Sequence, residues 1–197
     1  MIVIIVACLA GGILIGKLAI FSLSNITNLI ITLGLFVLLF SVGIDLGCNK
    51  EALRNIREDG IKLFIVPVAT VLGTGFGSSL ASILLKMPLN ETLAVGAGFG
   101  WYSLSGVLIT QMHSVELGTV AFLSNVIREV IALISIPLIS RYIGSFEAVG
   151  VAGATAMDTA LPVIVKSNSP DIAIYSFISG FLLTLLVPVL VPLALGL

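Results

Sequence analysis

The chain has 197 residues and a formal net charge of −1; 58% of its residues are hydrophobic and only 10% charged, with a mean hydropathy of +1.24. A soluble domain carries roughly 25% charged residues, so this composition excludes a water-soluble globule, and the near-neutral balance gives no footprint for a nucleic-acid partner. Apolar runs of about 20 residues, without ten-residue alternation, predict membrane helices and not a β-barrel.

In chain order the apolar segments are Ile2–Gly16, Ile26–Leu46, Leu63–Leu85, Thr92–Met112, Leu117–Ser140, Ala148–Val165 and Ile172–Leu195. No basic stretch precedes Ile2 and Lys17 follows the first run, so that run is expected to be a retained span and not a signal peptide. Cys8 and Cys48 show no metal or redox spacing and are expected to be free thiols. Asp45 closes the second segment, either facing the interface or serving a site. The one long polar loop, Cys48–Lys62, carries Lys50, Arg54, Arg57 and Lys62. Basic loops favour the cytoplasmic side, so this loop is predicted to be cytoplasmic.

The fourth and sixth segments are poor helices. LAVGAGFGWYSLSGVLI and AVGVAGATAMDTALPVIV are dense in Gly, Ala, Ser and Thr, and the second has Asp158 followed by Pro162. Glycine costs a helix interior about 1 kcal/mol and proline about 3. At membrane depth such backbone is tolerated only where it is buried in protein or lines a cavity. A pair of interrupted segments at corresponding positions is the sequence mark of a transporter site.

The two do correspond, at an offset of 55 residues. Ala97-Gly98 falls on Ala152-Gly153, Ser103 on Asp158, Ile109 on Ile164, Phe122-x-Ser124 on Phe177-x-Ser179, and Pro137-Leu138 on Pro192-Leu193. The predicted fold is an all-α integral membrane protein with about five transmembrane helices and two broken or re-entrant Gly-rich segments. The whole of 1–197 is one membrane domain containing a weak internal repeat, units 93–141 and 148–196. Charge placement favours re-entrant hairpins dipping from opposite faces, which makes the repeat inverted.

The fifth segment carries Arg128 and Glu129 near its middle. Charges there cost roughly 2.5–3.5 kcal/mol each to insert and should face the interior or a water-filled cavity. Asn125 and Ser124 share their helical stripe. Two readings stand: a structural ionic element, or groups that take part in transport. Asp158 likewise reads as a cap satisfied by Thr155 or Thr159, or as an ion site at the break. Trp101 and Tyr102 read as interfacial aromatics or as cavity walls with a cation–π face. His113 reads as interfacial. A serine hydrolase built on Ser105 and His113 would need the two within hydrogen-bond reach.

GFGWYSLSG (Gly98–Gly106), NVIRE and GATAMDTALPVI, in this order, resemble the lysine exporter (LysO) family, from about Ala7 to the C-terminus. That resemblance implies no enzyme but a multi-pass protein of the prokaryotic inner membrane that exports L-lysine and its analogues. By position it marks Glu129 and Asp158 as the intramembrane acids. Arg128, Asn125, Trp101, Tyr102, Ser103, Ser105, Gly98, Gly100, Gly106 and Thr155 complete the expected substrate and proton site. No cofactor or metal is expected, only a proton or sodium as coupling ion. Full-length members carry a further stretch ahead of this region that resembles the first three segments again. The chain is therefore expected to pair with itself as a homodimer, or with a separately encoded small membrane subunit.

Overall fold

A computed structural model describes residues 33, 37, 40, 44, 62–169 and 171–196. The chain divides into two units, Met1–Ile44 and Asp45–Leu197. In the first, Leu33, Val37, Phe40 and Ile44 are helical and exposed. Their three- and four-residue spacing makes one apolar helix face. The remaining readings for this part of the chain, Cys8, Cys48, Asp45, the first span and the Cys48–Lys62 loop, lie outside the described residues.

The second unit contains three helices long and apolar enough to cross a membrane: α1 (Lys62–Leu85), α4 (Val115–Tyr142) and α7 (Ile172–Leu195). Between α1 and α4 lie two short helices, α2 (Leu89–Gly96) and α3 (Tyr102–Met112). Between α4 and α7 lie α5 (Ser145–Ala152), a 3₁₀ turn (Gly153–Met157) and α6 (Leu161–Ser167). At 1.5 Å per residue α2 and α5 are each about 12 Å long. Neither approaches the ~30 Å of a bilayer core. All described secondary structure is helical, as the composition predicts.

Both interrupted segments return to the face they came from. In the first, His113, just after α3, lies 3.4 Å from Glu91 in the first turn of α2. In the second, Asn168, just after α6, donates to Ser140 Oγ near the end of α4 at 2.9 Å, and α5 begins at Ser145. Val66, Ile136, Ala148, Ile164 and Ile172 pack in one cluster, placing the start of α1, the end of α4, both ends of the second hairpin and the start of α7 on one face. Thr70 Oγ1 donates to Gly150 O at 3.3 Å in the same region. The ends of the first hairpin are at the opposite face, beside the start of α4. Ser114 caps α4 there, accepting from Leu117 N at 3.1 Å.

The helix α4 serves as a ruler across the unit. Its Gly118 packs on Thr110 and Gly106, and its Phe122 stands edge-on to Tyr102 at 5.4 Å. Asn125 then reaches Gly100, Arg128 lies against Gly153, and Ile136 joins Ala148 and Val149. The two hairpin tips therefore meet near the midpoint of α4, where the Ala154 amide donates to the Phe99 carbonyl at 2.9 Å. Phe99 and Ala154 are equivalent under the 55-residue offset. The two hairpins thus enter from opposite faces and touch at their tips.

Candidate functional site

Backbone conformation makes the tips. Phe99 and Gly100 have φ of 47° and 97°, and Gly153 has φ of 67°. Gly153 is required twice over, because a Cβ there would strike the Phe99 carbonyl and lie 2.7–2.8 Å from the Arg128 guanidinium nitrogens. Left-handed backbone costs a residue with a Cβ about 1–2 kcal/mol. Asn125, 2% exposed, pins the first tip. Its Oδ1 accepts from the Gly100 amide at 2.8 Å, and its Nδ2 donates to Val95 O at 3.1 Å and Ala121 O at 2.9 Å. A buried side-chain amide thus satisfies the Gly100 N–H, which the break leaves without a helical partner, and adds a donor to Val95 O.

Beside the tips lies a cleft of about 200 Å³. From the first hairpin it is lined by Gly100, Trp101, Tyr102 and Ser103; from the second by Ala154, Thr155, Met157, Asp158 and Thr159; from the spans by Glu129 and Thr184. Both intramembrane carboxylates thus face one cavity. Asp158 is open to it. Its Oδ1 accepts from the Thr159 amide and, at 3.0 Å, from the Thr159 hydroxyl. Neither Glu129 nor Asp158 has an ion-pair partner among the described residues. The ionic contact among the described residues, His113–Glu91, is at the outer end of the first hairpin, away from the cleft. The amides of Ser103 and Leu104, in the first turn of α3, have no acceptor among the described residues and carry the positive end of that helix's dipole.

Arg128 sits behind the tips, against Gly100 and Gly153, and its Nη1 is buried without a hydrogen-bond partner among the described residues. The structure does not unite Arg128 and Glu129 in an ion pair: adjacent on a helix, they point about 100° apart. Of the sequence-predicted residues, Glu129, Asp158, Trp101, Tyr102, Ser103, Gly100 and Thr155 line the cleft. Asn125, Arg128 and Gly98 support it. A Cβ at Gly98 would crowd Asn125 Nδ2 and Ser105 Oγ, both at 2.7 Å. Ser105 is buried and donates to Trp101 O at 2.9 Å, and Gly106 packs on α4. Ser105 and His113 lie eight residues apart on α3, about 12 Å along its axis, so no Ser–His pair forms. Thr184 and Met157 are not among the residues expected at the site: Met157 lies inside GATAMDTALP but is apolar, and Thr184 stands alone in an apolar run.

Residues 6–195 match the protein family described as Lysine exporter LysO. The chain belongs to this family. It is 40% identical over 157 residues to "Lysine exporter LysO" of Escherichia coli K12, a match covering 80% of this chain and 52% of that protein. It is 35% identical over 156 residues to "Putative lysine exporter" of Haemophilus influenzae, covering 79% of each. The match thus spans about half the length of the first relative. No solved structure matches the chain. The family is one of transporters and not of enzymes, and the apolar helices make this member a multi-pass membrane protein.

Proposed function

We propose that the cleft at the hairpin tips binds L-lysine and that the chain takes part in exporting it from the cytoplasm by secondary active transport. The observation that carries this reading is the pair of carboxylates, Glu129 and Asp158, on a cavity at the meeting point of two inverted hairpins. Lysine has two ammonium groups, for which the carboxylates are natural partners, and one carboxylate, for which the free Ser103 and Leu104 amides are suited. The Gly100 and Ala154 amides, by contrast, are already engaged by Asn125 Oδ1 and Phe99 O. The family name and both relatives' names support the choice of lysine.

Export of one positive charge against an inside-negative potential costs about 2.3 kcal/mol per 100 mV. Exchange for an entering proton cancels that movement, so the coupling ion we assign is the proton, carried by Glu129 or Asp158 when lysine is absent. The start of α1 at Lys62, Arg141 at the end of α4 and Lys166 at the end of α6 belong to one face, with Lys86 at the other. The positive-inside rule assigns the Lys62 face to the cytoplasm, and the membrane is the bacterial inner membrane.

Lysine counterflow into proteoliposomes holding this chain alone, with and without a pH gradient, tests the proposal. Saturable flux that follows the gradient and vanishes in Glu129→Gln supports it, and identifies the chain as sufficient by itself or as a homodimer. Lysine binding without flux assigns the chain to half of a transporter completed by a second small membrane subunit. Full, gradient-driven export by Glu129→Gln overturns the antiport mechanism.

A further inference from the structure

The 55-residue offset, set beside the lining of the cleft, makes an assignment that no motif carries. Under the 55-residue offset Ser103 corresponds to Asp158, and Glu129 corresponds to Thr184. All four line the same cleft. Each pair of equivalent positions therefore presents one carboxylate and one hydroxyl: the acid comes from the span in the first repeat and from the hairpin in the second. Four acids around one small cavity at membrane depth would repel one another strongly. Two acids and two hydroxyls keep oxygen at all four positions with half the charge.

Thr184 is the buried member of this quartet. It is 2% exposed, in the otherwise apolar run Leu182–Pro188 of α7. Its one described side-chain contact with a polar atom is to Met157 Sδ at 3.8 Å. A thioether is a weak acceptor, and the hydroxyl oxygen keeps its two acceptor sites. A buried hydroxyl in apolar helix is costly unless it is hydrogen-bonded.

We infer that Thr184 is a ligand of the transported cation, its hydroxyl oxygen accepting a hydrogen bond from a substrate ammonium group held by Asp158 or Glu129. This rests on the cleft being the lysine site and adds to it a specificity-determining residue. An ammonium group has three donors and needs more acceptors than one carboxylate presents in a single direction. The hydroxyl supplies one from the second repeat.

The test is lysine flux and equilibrium lysine binding by the reconstituted full chain in Thr184→Val, which is nearly isosteric, and in Thr184→Ser, which keeps the oxygen. Loss of one hydrogen bond to a charged group predicts that Thr184→Val raises the KM and Kd for lysine about tenfold, with little change in maximal flux, and that Thr184→Ser restores both. Unchanged KM and Kd in Thr184→Val overturn the inference while leaving the lysine site standing. A fall in maximal flux or in yield of folded protein at unchanged Kd overturns it too, because that is how a purely structural threonine behaves. If the unmodified chain neither binds nor moves lysine, the reading of the cleft fails first and the inference with it.

Discussion

The two hairpins share a topology, but equivalent positions on their spans meet the tips differently. The first tip is held by a polar clamp, in which Asn125 on α4 satisfies the Gly100 amide and the Val95 carbonyl. The equivalent position on α7 is Gly180, which admits the second tip by its lack of a side chain, while Ser176, one turn earlier, donates to Ala156 O at 2.8 Å. A Cβ at Gly180 would lie 2.6 Å from the Met157 amide nitrogen and 2.8 Å from the Ala154 carbonyl oxygen. The clamped hairpin carries the aromatics and the free amides of Ser103 and Leu104. The hairpin packed on Gly180 carries Asp158. Two hairpins of like topology thus differ in the residue on which each tip rests and in the charge they present.

Breaking the shared centre has the largest effect. Gly153→Val demands left-handed backbone from a β-branched residue and drives a side chain into the Phe99 carbonyl and the Arg128 guanidinium. The expected cost is about 4 kcal/mol or more, seen as loss of monodisperse protein in detergent and of all lysine flux. Gly180→Ala probes the steric fastening on its own. Overpacking against backbone, which cannot rotate away, costs about 3 kcal/mol. The thermal midpoint should fall and flux with it, because Met157 is next to Asp158. Asn125→Ala probes the polar fastening. It orphans the Gly100 amide and leaves the Val95 carbonyl with only the Gly98 amide at 3.4 Å, and the expected loss is about 2 kcal/mol. Asn125→Asp, which keeps the acceptor for Gly100 but loses the donor to Val95 and Ala121 and adds a charge, should not rescue it. If Gly180→Ala were silent and Asn125→Ala ruinous, the contrast between the two fastenings would collapse.

The sequence shows where backbone fails as helix, because Gly and Pro penalties are local and visible: GAGFGWYSLSG and GATAMDTALP coincide with the two breaks. It also shows the 55-residue repeat, through landmarks such as Phe122-x-Ser124 and Phe177-x-Ser179. What it hides is the join. The Phe99–Ala154 bond is backbone to backbone, so no side chain announces it, and residue identity says nothing about which tips touch. Asn125 is legible as part of a polar stripe but not as a clamp, since its partners are amide and carbonyl groups 25 and 30 residues away. Thr184 had a signal in the offset from Glu129, but a threonine within leucines draws notice only once Glu129 is known to face a cavity.

The smallest effect belongs to the outer ends of the hairpins, where the comparison runs between His113–Glu91 in the first and Asn168–Ser140 in the second. The histidine contact is 3.4 Å long and its side chains are 38% and 22% exposed. Exposed ionic contacts of this kind are worth about 0–1 kcal/mol. The amide contact is 2.9 Å and its nitrogen also reaches Ile164 O at 2.8 Å, so Asn168→Ala should cost about 1 kcal/mol. His113→Ala should leave both the thermal midpoint and lysine flux within error of the unmodified chain, as measured side by side in the same proteoliposomes. If flux collapsed at full stability, the histidine would have to lie on the path of the coupling proton, and the outer end of the first hairpin would be working machinery instead of a fastening.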